Sequence, residues 1–349
     1  MKPAPSRLEP LFVPRIWGAR SLAPLFPEKT GLAEPIGEVW MTGDECAFAS
    51  GPFAGRKLGD AWREMPANWK GTLARGDQSI PLLVKFIFPE EKLSVQVHPD
   101  DAYAVKHEAA AGGRGKTEMW YAMAAREDAE VMVGMKPEVT SEPFRQAIAK
   151  GTAEQCLERL PLQPGDAVFV PAGTAHTIGP GLILCEIQQN SDITYRVFDY
   201  NRLTAEGKPR QLHIRQALEV MRFGPQIGGK TNPVHITRGQ VKETYYVACR
   251  YFATEKWEFT ELARGATSSQ SFELLIVLSG AGTMEAAGAS TDYSSGQVWF
   301  LPAALGEYQL RAQSPSELLR TYVPDVLEFA SRLKELGASP SEVSRVVYL

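Results

Sequence analysis

The sequence predicts a mainly β fold, two related β-barrels in tandem with a small helical insertion, and three observations carry that expectation. Short runs rich in β-branched and aromatic residues recur between glycines and prolines. Helical patterns are few and do not alternate with strands, which disfavours βαβ crossovers and a doubly wound sheet. A motif of glycine, five residues and proline occurs twice, as Gly165-Asp-Ala-Val-Phe-Val-Pro171 and Gly296-Gln-Val-Trp-Phe-Leu-Pro302, 131 residues apart (296 − 165).

Strands are expected over 81–88, 93–98, 118–123, 130–133, 167–170, 182–187 and 194–198. Helices are expected over 141–149 and 153–160 as one paired excursion, over 214–222, and over 324–336, where Asp325 and Glu328 suit the positive N-terminal end. In each copy of the repeated motif the glycine permits a tight turn, the apolar run makes a buried strand, and the proline closes it where no ladder donor is needed. A hairpin is expected to turn through Ser279-Gly-Ala-Gly-Thr283. The boundary is expected at 236–241, dividing residues 1–235, which hold the chemistry, from residues 236–349 with their C-terminal helix.

The 349 residues are 44% hydrophobic and 22% charged, enough for a sizeable core and two domains. Lysine plus arginine is 37 against 41 acids, so no positive excess exists to follow a nucleic-acid backbone. No apolar run approaches the roughly 18 residues that cross a bilayer, and the first twenty residues lack the apolar stretch of a secretory signal. Cys46, Cys156, Cys185 and Cys249 are scattered without CxxC spacing. They read as small buried side chains in a reducing cytoplasm rather than as disulfides or thiolate ligands.

There are five histidines, and two sit in informative settings, Gln96-Val-His98-Pro-Asp-Asp101 and Pro171-Ala-Gly-Thr-Ala-His176. Gln96 and His98 are two apart on an expected strand, so both side chains leave the same face, and Ser94 joins them. Glu118 opens another strand after Gly112-Gly-Arg-Gly115, and His176 stands five residues past the first Gly-x5-Pro motif. Two imidazoles, a carboxylate and an amide oxygen suit a divalent ion, zinc first, with manganese, iron, cobalt or nickel as alternatives. The second copy has Glu307 where the first has His176, and no histidine follows His235, so the second barrel is expected to be metal-free. His107, His213 and His235 are expected to be structural.

The Gly165-x5-Pro171-x4-His176 spacing is that of the second cupin motif, and the set Gln96-x-His98 with Glu118 resembles the divided first motif of the type I mannose-6-phosphate isomerases. The resemblance extends over Phe88 through Asp101, Gly115-Lys-Thr-Glu-Met-Trp-Tyr121 and Ser191-Asp-Ile-Thr-Tyr-Arg-Val-Phe-Asp-Tyr-Asn-Arg202, with Arg15-Ile-Trp-Gly18 and Ile36-Gly-Glu-Val-Trp40 upstream. It implies tandem cupin-type jelly rolls, and the excursion at 141–160 looks like the short bacterial form, in which the helical insertion is reduced. It implies metal ligands at Gln96, His98, Glu118 and His176, and active-site roles for Ser94, Lys116, Glu186, Asp192, Arg196 and Arg202. Ile178 departs from the larger eukaryotic enzymes, which place a tyrosine there.

The implied reaction interconverts mannose 6-phosphate and fructose 6-phosphate by moving a proton between C1 and C2 through an enediolate, which needs an acid/base group and positive charge near developing oxygen charge. Glu186, Lys116, Asp192 and a water activated by the metal are candidates for the proton transfer, Glu186 and the water foremost. Ser94, Lys116, Arg196 and Arg202 would bind the phosphosugar, the guanidinium forks suiting its phosphate. Two other readings compete: a sugar-phosphate-binding cupin without turnover, which Lys116, Glu186 and Arg196 argue against, and an iron-dependent cupin dioxygenase, which Gln96 argues against. A small phosphosugar is the expected partner, with no nucleic acid or membrane, and the chain is expected to be a monomer or weak homo-oligomer.

Overall fold

The computed structural model describes residues 1–204, 207–225 and 227–349. Strands Gly229–Lys230, Ala167–Val170, Glu118–Ala125, Leu182–Gln189, Leu82–Ile87, Ile36–Trp40 and Leu11–Ala19 form, in that order, one sheet. A five-stranded sheet of Tyr195–Phe198, Val95–Val97, His176–Ile178, Glu130–Met135 and Leu157–Pro161 packs against it through Trp120, Val131, Ile178 and Leu184, closing the first barrel. The second barrel repeats the plan. Its large sheet runs Val234–Arg238, Val241–Ala248, Ala253–Phe259, Ser316–Tyr322, Glu273–Ser279 and Val298–Leu301, then continues into Ser6–Glu9 and Ala47–Phe48. Leu262–Ala266, Glu307–Ala312, Ala281–Ala286 and Ala289–Ser294 form its smaller sheet.

The two large sheets meet back to back. Val84, Phe86, Cys185 and Ile187 from the first pack in one core with Leu274, Ile276, Phe300 and Leu319 from the second. Leu82–Ile87 is therefore buried along its whole length, which is why it reads as an apolar run broken only by Lys85 rather than as an alternation. Period two sends Val84 and Phe86 into this shared core and Lys85 and Ile87 into the first barrel.

The repeated motif occupies equivalent places. Gly165 (φ 95°) and Gly296 (φ 81°) take left-handed turns before strands Ala167–Val170 and Val298–Leu301. Val170 lies opposite Glu118, and Leu301 lies opposite Glu273. His176 and Glu307 each open the strand that follows.

Three expectations need correction. The turn at Ser279–Thr283 makes no hairpin, because Glu273–Ser279 and Ala281–Ala286 pair into different sheets as the chain crosses from one face of the barrel to the other. Only Ala153–Cys156 of the expected helix over 153–160 is helical, as one 3-10 turn. Leu157–Pro161 instead pairs with Glu130–Met135, because an available sheet edge overrides a local pattern that fits either state. The expected boundary at 236–241 falls inside the hairpin formed by Val234–Arg238 and Val241–Ala248, and the N-terminal strand Ser6–Glu9 pairs with Val298–Leu301 of the second barrel. Helices Leu58–Glu64, Asp101–His107 and Pro340–Val346 were not expected from the sequence. Ser141–Ala149, Ile214–Val220 and Val326–Glu335 lie where helices were expected, the last capped by Asp325, whose carboxylate accepts from the amides of Leu327 and Glu328 at 3.0 Å each.

Candidate metal centre and active site

Three strands of the small sheet set the site. Gln96 pairs with His176 on one side and with Arg196 on the other, and cross-strand partners share a face, so amide, imidazole and guanidinium stand side by side. Glu118 comes from the large sheet, and His98 follows the strand that holds Gln96. Ligand atoms of His98, Glu118 and His176 lie within 4.8 Å of one another, all three side chains buried.

Each imidazole is oriented from behind. His98 Nδ1–H donates to the carbonyl of Ile193 (2.8 Å), and His176 Nδ1–H donates to that of Thr174 (2.9 Å). These bonds fix the tautomer and leave both Nε2 lone pairs facing Glu118, at 3.7 and 3.4 Å. Burial holds His176 down to about 4, against the Thr174 bond, and burial with the Lys116 charge holds His98 well below the ordinary value. Both are therefore neutral near pH 7, as ligation requires. The Gln96 amide lies 3.2 Å from His176 Nε2 and its oxygen accepts from Ser94 Oγ at 3.2 Å. Rotation of that amide exchanges its ends, turning Oε1 toward the histidines while Nε2 keeps a partner in Ser94.

Glu118 Oε2 is buried and ion-paired with Lys116 Nζ at 2.7 Å, and no other donor among the described residues reaches it. A buried carboxylate between two imidazole lone pairs turned toward it fits a divalent cation by donor type and by burial. Lys116 Nζ also lies 3.2 Å from His98 Nε2 and 3.6 Å from Glu186 Oε1. Burial opposes its charge, but Glu118 and Glu186 outweigh that and raise its pKa.

Glu186 pairs across the sheet with Trp120 on one side and Lys85 on the other, and its carboxylate lies 3.8 Å from Lys85 Nζ. Burial raises its pKa against the opposing lysine charges. Lys85 itself is 2% exposed, lies 3.5 Å from Asp192 and stacks over the Trp40 ring at 4.8 Å. Lys85 is not among the residues singled out from the sequence, and a lone lysine within the apolar run 82–87 was the available signal. Glu38, paired with Arg15 at 2.9 Å and bonded by Trp40 Nε1 at 2.7 Å, completes this wall. Burial works to raise its pKa, but Lys85, Arg15 and the indole bond lower it to about 2.

The expected residues differ in their engagement. Arg196 is half-buried, and its Nε has no partner. Asp192 is 58% exposed and sits at the rim. The Arg202 guanidinium is occupied: it bonds Asp199 at 2.6 Å and the carbonyl of Lys92 at 2.5 Å, and Arg210 bonds the same Asp199. Ile178 is buried in the first-barrel core. Of the other histidines, His107 stacks on Tyr103, His235 bonds Thr244, and His213 brackets the Arg196 backbone, its amide donating to the Arg196 carbonyl at 2.7 Å.

Residues 6–155 match the family described as phosphomannose isomerase type I, catalytic domain, and residues 242–323 match mannose-6-phosphate isomerase, cupin domain. The chain is 38% identical over 313 residues to the "Probable mannose-6-phosphate isomerase GmuF" of Bacillus subtilis, covering 88% of this chain and 96% of that protein. The crystal structure of the mannose 6-phosphate isomerase from Bacillus subtilis superposes with a TM-score of 0.82 at 30% identity, covering 91% of this chain and 99% of that one. A zinc-bound mannose 6-phosphate isomerase shares the fold, with a TM-score of 0.71 at 18% identity over 91% of this chain and 99% of that one. With its tandem barrels and this degree of likeness, the chain belongs to the type I mannose-6-phosphate isomerases, a family of aldose–ketose isomerases.

Proposed function

We propose that the protein interconverts mannose 6-phosphate and fructose 6-phosphate at the first barrel, with zinc held by Gln96 Oε1, His98 Nε2, Glu118 and His176 Nε2. The observation that supports this best is the buried Glu118 carboxylate facing two neutral imidazoles whose far nitrogens are already committed, with all three ligand atoms within 4.8 Å of one another. When bound, the ion supplies a Lewis acid for the sugar's carbonyl and hydroxyl oxygens.

The remaining steps belong to the protein. Glu186, its pKa raised by burial yet flanked by Lys85 and Lys116, is suited to take the proton from one carbon and return it to the other. Lys116 supplies positive charge close to the developing enediolate oxygen. Arg196, with its unbonded Nε, is assigned the phosphate, whereas Arg202 with Arg210 holds the Asp199 loop that borders the substrate. Ser94 orients the Gln96 amide, and Asp192 holds Lys85 at the rim.

In this reading the first barrel carries the chemistry, and the second barrel, which runs from strand Val234–Arg238 onward and takes in Ser6–Glu9, is metal-free. No described helix is long and apolar enough to cross a membrane, and the four cysteines are free. We place the enzyme in the cytoplasm as a monomer or weak homo-oligomer acting on a small phosphosugar. A coupled assay for fructose 6-phosphate formed from mannose 6-phosphate tests the assignment. Turnover that depends on the added metal is expected, and absence of turnover with every divalent ion tried contradicts it.

A further inference from the structure

Strand registers superimpose the second barrel on the first, residue by residue. Opposite Glu186 lies Lys85, and opposite Arg320 lies Glu255. Glu186 also faces Trp120, two residues past Glu118, as Arg320 faces Leu275, two residues past Glu273. Glu38 and Glu243 occupy the same place on the next strand, each beside an arginine (Arg15, Arg238) and each accepting from an aromatic donor (Trp40, Tyr245). His176 lies opposite Gln96, and Glu307 lies opposite Ala266. The four ligand positions thus become Ala266, Ser268, Glu273 and Glu307, and Ser94 becomes Arg264.

The counterpart of the metal site has lost its histidines but not its space. A cavity of about 880 Å³ opens there, lined by Arg238, Arg264, Glu307, Gln309, Arg320 and Arg332 among others. Its floor is closed by charge pairing: Arg320 bonds both oxygens of Glu273 at 2.8 and 2.5 Å and Glu255 at 2.7 Å. Its mouth is not. Arg264 is exposed with no ion pair among the described residues, and Arg332 meets a carboxylate only at 4.0 Å, from Glu255. Two guanidinium forks with unused donors suit a dianionic phosphate. Glu307, also without an ion pair, would repel a bare anion but accepts hydroxyl donors, as the carbonyl of Gln309 does.

We propose that this cavity is a second, metal-free small-molecule site that binds a phosphorylated polyol, with Arg264 and Arg332 on the phosphate and Glu307 on the hydroxyls. A cavity of this volume lies within the usual range for small-ligand sites. Binding here requires neither the metal nor turnover, so it stands or falls apart from the reaction assigned to the first barrel.

Equilibrium dialysis of the full-length, zinc-loaded protein against sorbitol 6-phosphate, which has no carbonyl to isomerise, tests the proposal. The number of equivalents bound should fall by one in Arg264→Ala/Arg332→Ala, and should fall by one again when the same pair is added to His176→Ala. Arg264→Ala alone should weaken the Kd of that equivalent about 10-fold, the scale of one charged hydrogen bond. Inorganic phosphate, lacking the polyol's alcohol hydroxyls for Glu307, should bind at this site more weakly than the polyol phosphate. An unchanged count in both backgrounds, with the variants folded by melting temperature, overturns the proposal.

Discussion

The two barrels share a polar wall, and they differ in what that wall leaves unbonded. In the second barrel Arg320, Glu255, Glu273, Tyr308 and Trp257 satisfy one another, Tyr308 donating to Glu273 at 2.9 Å and Trp257 to Glu255 at 3.0 Å. In the first, Arg196 Nε is buried without a hydrogen bond, and the inner nitrogens of His98 and His176 meet only Lys116 and the Gln96 amide, at 3.2 Å each, beside the Glu118 carboxylate. The fold thus tolerates buried charge in either of two ways: closed upon itself as structure, or left open toward a ligand at the cost of local stability. Among the described residues Glu255 Oε2 is the one orphaned atom of the second wall, while Glu255 Oε1 carries the contacts to Arg320 at 2.7 Å and Arg332 at 4.0 Å.

That contrast can be broken first at its histidines. His176→Ala should lose bound metal and lower kcat/KM by about 10³-fold or more, because an open donor set is lost. His235→Ala, in the second barrel and bonded only to Thr244, should lose neither. Equal metal content in the two variants by elemental analysis would contradict the ligand assignment. On the closed wall the effect should fall on stability instead: Arg320→Ala leaves Glu255 and Glu273 buried and unpaired, and should lower the urea-derived unfolding free energy by about 3 to 5 kcal/mol. A loss below about 1 kcal/mol would mean that the pairing is not structural.

The Glu38 corner of the first barrel makes its stability depend on pH. Its folded pKa is lowered to about 2 from the ordinary 4.5, so the unfolded chain binds the proton more readily between those values. Stability from this group is therefore full above pH 4.5 and is lost as pH falls toward 2, by at most about 3 kcal/mol. The wild-type advantage over Glu38→Gln in urea unfolding should shrink between pH 6 and pH 3, and a constant difference would remove the ionised carboxylate from the account. The smallest effect is expected at the open guanidinium. Arg196→Lys keeps the charge and removes the fork, so kcat/KM should fall about 10-fold, roughly 1.4 kcal/mol, with metal content unchanged. Near-normal kinetics in a folded protein would take Arg196 out of the site.

Much of the site was legible because its donors are scarce residue types at fixed offsets. Gln96 and His98 share a face by period two, and Gly165-x5-Pro171 fixes where His176 begins its strand. Lys85 was hidden by context, since a strand buried on both faces conceals which of its residues point inward. Residues 157–160 were misread because Leu157 and Leu160 are spaced three apart, which suits a helix until an open strand edge claims them. The Glu255–Arg320 counterpart of Lys85–Glu186 was out of reach, because it exists only once four strands are in register.

Whether the first barrel works through a metal held by Gln96, His98, Glu118 and His176 is decided by titrating Zn²⁺ into thoroughly stripped protein while following isomerisation of mannose 6-phosphate. Activity should be absent at the start, rise in proportion to added zinc and break at about one equivalent per chain, as a single four-donor site requires. Full activity in the stripped protein before any ion is added would contradict the account.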